Sequence, residues 1–123
     1  MVNTVKKVLI PIADGTEEIE AVCLIDTLRR AGLGVTVASV DRLQVTASRS
    51  VKLVADALIA DCVNQTYDCI ALPGGMPGAE HLRDSADLIG MLKKQKAEAT
   101  RIADFQSRLV LYKSKTPYTD KEN

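Results

Sequence analysis

VLIPIADGTEEIE, residues 8–20, passes from an apolar stretch to an acidic one through a single Asp14-Gly15 turn. Lys7 to Ile12 is short, apolar and rich in β-branched residues, the composition of a strand buried on both faces. From Glu17 to Ala31 the period changes. Ala21, Leu24, Ile25 and Leu28 fall at i, i+3, i+4 and i+7, one stripe of a helix. Asp14 or Thr16 is expected to cap the first turn of this helix, and its glutamates suit the positive end of the helix dipole. Arg29-Arg30 occupy the last turn, and Gly32 is a fitting stop.

Working outward, Val35 to Val40 reads as the next strand. Leu43–Ala47 and Val51–Ala55 alternate and can pair around Ser48-Arg49-Ser50, and Ala57 to Cys62 suggests a brief helix. Asp68 to Leu72 is another buried strand, closed by Pro73-Gly74-Gly75. Ser85 to Glu98 reads as a second amphipathic helix with Leu88, Ile89 and Leu92 inward. Strand, helix, strand, hairpin, strand, helix is the order of a parallel α/β sheet with crossovers. After Thr100 the character changes. Arg108–Tyr112 could add a strand, and Lys113–Asn123 is polar, as a disordered tail would be. The reading is therefore one α/β domain over residues 1–100 and a divergent segment over 101–123.

Composition narrows the function classes. At 123 residues a single domain is expected, and with no Trp and one Phe its core must be aliphatic. Sixteen basic and sixteen acidic residues cancel, which argues against a nucleic-acid surface. No apolar run approaches the ~20 residues of a membrane span. Three widely spaced cysteines suggest neither a disulfide framework nor a zinc site, so a reducing cytoplasm is the expected setting. A lone histidine leaves no His-rich metal site, and no metal or cofactor is expected.

Two places carry chemistry. Glu20 opens the first helix just past the carboxyl end of the first strand, the edge where α/β sheets bind ligands. It is either an acid partner in a site or one of three glutamates satisfying a helix terminus. Gly74-Gly75 can turn two N–H groups into a cleft as an oxyanion hole, or can be an ordinary strand-to-helix turn. The spacing around them is neither a P-loop nor a dinucleotide fingerprint. Cys23, on the first helix, reads as a small buried thiol, and Cys69 as an inert one inside a strand. Cys62 lies in a more exposed stretch without a basic neighbour to activate it. His81 reads as a surface residue. Arg49 and Arg29-Arg30 read as a solvated face that could meet an anion or a partner's carboxylate.

Taken together, VLIPIADGTEEIEAV from Val8, LRRAGLGVTVASV from Leu28, TASRSVKLVAD from Thr46 and YDCIALPGGMPGAEHL from Tyr67 resemble the ThiJ/PfpI superfamily, in particular its parkinsonism-associated deglycase branch. The resemblance covers about residues 5–98. It implies a flavodoxin-like sandwich related to class I glutamine amidotransferases, incomplete here at the C-terminal side, and a homodimer. It also implies cofactor-independent glyoxalase or deglycase chemistry on methylglyoxal-type dicarbonyls and a role in oxidative-stress protection. In such a site a cysteine on a sharp strand-to-helix elbow attacks, a protonated glutamate partners it, and glycine N–H groups hold the oxyanion. Glu20 matches the glutamate, and Gly75 with Gly74 the oxyanion loop. At the elbow this chain reads Ile102-Ala103-Asp104-Phe105-Gln106-Ser107, and Gln106 stands at the nucleophile's position. A carboxamide is no nucleophile, so the expectation is an inactive chain. The alternatives are a non-catalytic dimerising or chaperone-like module that pairs with a full-length homologue, or a truncated splice or gene-model product. Without the elbow strand, Asp68–Leu72 is expected to be an exposed edge in a weakly stable, self-associating chain.

Overall fold

The structure, a computed structural model, describes residues 5–98. Four strands form one parallel sheet: β1 (Lys7–Ile12), β2 (Gly34–Ser39), β5 (Ala57–Leu58) and β6 (Cys69–Ile70), in the order β5-β2-β1-β6. β3 (Gln44–Thr46) and β4 (Lys52–Val54) form a separate antiparallel hairpin, closed by Ser50 with φ 73°. Helix α1 (Glu18–Arg30) follows β1, and α2 (Gly78–Arg83) and α3 (Ala86–Glu98) follow β6.

β1 lies at the centre because it is apolar on both faces. Val8, Leu9, Ile10, Pro11 and Ile12 are all buried. Burial on both faces is the rule for strands flanked by parallel neighbours. Pro11 fits here for a specific reason. Lys7 and Leu9 accept backbone bonds from Asp68 and Ala71 on the β6 side, while Lys6 and Ile12 accept them from Gly34 and Val40 on the β2 side. Pro11 therefore turns toward β6, beyond its last paired residue Ile70, where a missing N–H breaks no bond of that ladder.

Val8, Ile10 and Ile12 share a core with Ala21, Val37, Val45, Ala55 and Ala71, and Leu24, Ile25 and Leu28 of α1 pack against it. The predicted α1 stripe is thus the one that faces the sheet. Its stop is also as expected: Gly32 N–H donates to Arg29 O and Leu33 N–H to Leu28 O, 3.0 and 3.1 Å. The start is not. The N-cap is Glu17, with no side-chain capping bond. Asp14 instead accepts from Thr46 N–H, and Thr16 Oγ1 accepts from Ala13 N–H, both 2.9 Å.

Ala57–Cys62, expected to be a brief helix, is half strand: Ala57–Leu58 extend the sheet beside β2, and a 3-10 turn covers Ile59–Asp61. Helix α2 is an element the sequence reading missed. In α3, Leu88 and Met91 are buried and Ile89 is half-buried. Among the described residues β6 pairs on one side only, with β1. The segment 99–123, with the expected strand Arg108–Tyr112, lies outside the described residues.

Candidate active site

The chain leaves β1 toward β2 on one side and later returns to place β6 on the other. The switch point of the sheet therefore falls between the carboxyl ends of β1 and β6, where open α/β sheets form their binding crevice. Two loops meet there, Ala13–Glu17 after β1 and Pro73–Pro77 after β6. Glu17 N–H donates to Gly74 O at 2.9 Å, and Gly74 N–H donates to Glu20 Oε1 at 2.7 Å. The structure thus brings Glu20 and Gly74 into direct contact. A Cβ on Gly74 would lie 2.8 Å from Glu20 Oε1. Gly75 has φ 104°, and a Cβ on it would stand 2.4 Å from Glu17 N. Gly78 backs the same turn, with a Cβ there 2.6 Å from Thr16 N. At Gly75 and Gly78, where the neighbours are backbone atoms, only glycine lets the two loops approach this closely.

The bonds divide the glycine loop's donors. The Gly74 N–H is held by Glu20, whereas the Gly75 N–H donates to no group among the described residues. Glu20 itself is exposed.

A third segment joins from the hairpin. Gly15 N–H donates to Thr46 O and Ser48 N–H to Thr16 O, both at 2.9 Å. Glu18, which had no role in the sequence reading, is 8% exposed and takes three donors. Ser48 Oγ donates to its Oε1 at 3.0 Å, and the N–H groups of Arg49 and Val51 donate to its Oε2 at 2.7 and 3.2 Å. Desolvation pushes the Glu18 carboxyl up, but its own backbone N–H, those of Val51 and Arg49, and the Ser48 hydroxyl outweigh this and hold it below its ordinary 4.5. Asp14 is held below its ordinary 3.8, first by the Thr46 N–H, against desolvation, and then by Arg42 and His81. Both are carboxylates depressed in the folded state. The stability they contribute is complete above pH 4.5 and is lost as the pH falls through their folded values. The melting temperature of Glu18→Gln is accordingly expected to fall less steeply below pH 4.5 than that of the wild type. Parallel slopes in thermal melts would refute this.

Cys23 and Cys62 are not where the sequence placed them, whereas Cys69 lies inside a strand, β6, as expected. Cys23 is exposed, because residue 23 falls off the 21, 24, 25, 28 stripe of α1. Cys62 is buried, with its Sγ 3.5 Å from Leu58 O across the 3-10 turn. Cys69 is half-buried in β6. No hydrogen bond joins Cys23 or Cys62 to Glu20 among the described residues. His81 is exposed, as expected, beside a cavity of about 200 Å3 that Asp14, Asp41, Asp84 and Ser85 also line. This cavity is not the Glu20 site, and its carboxylates are already paired, Asp14 and Asp41 with Arg42 and Asp84 with Arg83. No three His, Cys, Asp or Glu residues gather to hold a metal ion among the described residues. No helix among them is long and apolar enough to cross a membrane. Gln106 lies outside the described residues.

A parallel α/β sheet flanked by helices, with Glu20 and the glycine loop joined at its switch point, places the protein in the flavodoxin-like class. Residues 6–105 match the DJ-1/PfpI family, and the chain belongs to it. It is 51% identical over 96 residues to protein DJ-1 homolog B of Arabidopsis thaliana, covering 77% of this chain and 22% of that one. It is 35% identical over 88 residues to the glutathione-independent glyoxalase DJR-1.2 of Caenorhabditis elegans, covering 72% of this chain and 46% of that one. The solved structure of oxidized Toxoplasma gondii DJ-1 superposes with a TM-score of 0.75 at 62% identity, covering 76% of this chain and 51% of that one. The chain thus spans about half or less of the length of these relatives.

Proposed function

We propose that residues 5–98 carry the acid and oxyanion half of a glyoxalase-type site for small dicarbonyls, and that the 123-residue chain alone does not turn such substrates over. The observation that carries this reading is the 2.7 Å bond from Gly74 N–H to Glu20 Oε1, which ties the acid to the glycine loop at the sheet's switch point. Support for the chemistry comes from the nematode relative named as a glyoxalase. In this reading Glu20 is the acid partner and the Gly75 N–H, unclaimed by a described group, is the donor for a developing oxyanion. Attack on the dicarbonyl carbon needs a thiolate, and Gln106, at the position the family resemblance assigns to the nucleophile, cannot supply one.

The reading extends to partners. Ile19 and Val22 on α1 are 71% and 47% exposed, a face suited to a second copy of this chain or a longer homologue. One preparation tests both parts. Methylglyoxal consumption is expected at the buffer rate and unchanged by Glu20→Ala, and sedimentation is expected to show species larger than the monomer. Turnover that disappears in Glu20→Ala would refute the inactive reading, and a monomer at every concentration would refute the association.

A further inference from the structure

We infer that Glu18 is a positioning residue: by holding the Ser48–Val51 loop against the first turn of α1, it sets where Glu20 meets Gly74. This rests on the Glu20–Gly74 pair being the site, as proposed above. The inference starts from the missing cap. The N-cap Glu17 makes no side-chain capping bond, so tertiary contacts must fix the first turn of α1. On one flank these are the bonds to the glycine loop, Glu17 N–H to Gly74 O and Gly74 N–H to Glu20 Oε1. On the other flank Glu18 collects Ser48 Oγ, Arg49 N–H and Val51 N–H, while Ser48 N–H reaches Thr16 O. Glu18 and Glu20 thus sit in one helical turn, each closing a different loop.

Removing the Glu18 carboxylate leaves two backbone donors of a partly buried loop without an acceptor. The loop then lifts, and the turn that carries Glu20 loses one of its two tethers. Charge is not what the geometry demands. A glutamine at this position can accept both N–H groups on its oxygen and donate its NH2 to Ser48 Oγ. The Ser48 hydroxyl then turns to Glu17 Oε1, which it already reaches at 3.0 Å.

Amide hydrogen exchange on the full chain at neutral pH tests this. In Glu18→Ala the Arg49 and Val51 amides are expected to exchange faster, and Gly74, on the opposite flank, to follow by about tenfold. Glu18→Gln is expected to return Gly74 to within about threefold of wild type. Gly74 exchange unchanged in Glu18→Ala, or not rescued by Glu18→Gln, would overturn the inference. Should Glu18→Ala not fold, Glu18→Asp, one methylene too short to reach the loop, is judged by the same two results. The readout does not depend on turnover, so an inert chain whose Gly74 responds would leave the positioning role standing.

Discussion

Gly75→Ala is expected to destabilise the protein by about 3 kcal/mol and to open the junction of the two site loops. Two terms add. Gly75 sits at φ 104°, where an L side chain is strained in any surroundings. The added Cβ would also meet Glu17 N at 2.4 Å, Gly15 O at 2.6 Å and Thr16 C at 3.0 Å. All three are backbone atoms, so no rotamer change relieves the contact. The loops must separate, and the first bonds at risk are Glu17 N–H to Gly74 O and Gly74 N–H to Glu20 Oε1. A loss of this size corresponds to roughly 15 °C in melting temperature for a domain this small. Gly32→Ala is the control. Gly32 also has a positive φ, 88°, but a Cβ there meets nothing within 4 Å, so only the conformational cost of about 1 kcal/mol is expected. Equal melting temperatures for the two variants would show that the close approach at Gly75 does not matter.

The same junction shows what the sequence can and cannot tell. β1 and the core-facing stripe of α1 were legible because buried apolar periodicity is a local property of residues 7–28. The hairpin was legible from alternation on either side of Ser48-Arg49-Ser50. Helix α2 was not, because Gly78–Arg83 is too short for periodicity to register. The capping expectation failed because Asp14 and Thr16 had competing partners: Asp14 serves Thr46, 32 residues away, and Thr16 bonds back to Ala13. Cys62 looked exposed because the 3-10 turn that encloses it leaves no composition signal. For the site, Glu20 and Gly74-Gly75 stood out only through resemblance, since each alone reads more readily as a helix terminus or a turn. Glu18 was invisible because its donors lie about 30 residues away, and one glutamate among three carries no mark of which is buried. The one available hint was that a tight loop such as Ser48–Val51 needs an acceptor for its inward N–H groups.

Ile10→Ala is expected to cost about 3–4 kcal/mol, a large share of the roughly 5–15 kcal/mol that stabilises a domain. Ile10 is fully buried at the centre of β1, with its partner Val37 on β2 in the same core as Ala21 of α1 and Val45 of the hairpin. Its cluster mixes Ala21, Ala55 and Ala71 with Val8, Ile12, Val37 and Val45, held mostly in sheet and helix backbones that relax only partly around the void. Val54→Ala, at a hairpin position that is 69% exposed, is expected to change stability by no more than about 0.5 kcal/mol. Urea unfolding of the two variants separates the cases, and a midpoint for Ile10→Ala close to that of Val54→Ala would mean that β1 is not the centre of the core. The consequence reaches the site because β1 feeds directly into Ala13–Glu17, and the hairpin that Val45 anchors supplies the Thr46 and Ser48 contacts to those residues. Packing on this face of the sheet is what holds three loops at one strand end. A core cavity more than a strand residue away from Glu20 should therefore also loosen the Gly74 amide before the molecule as a whole unfolds.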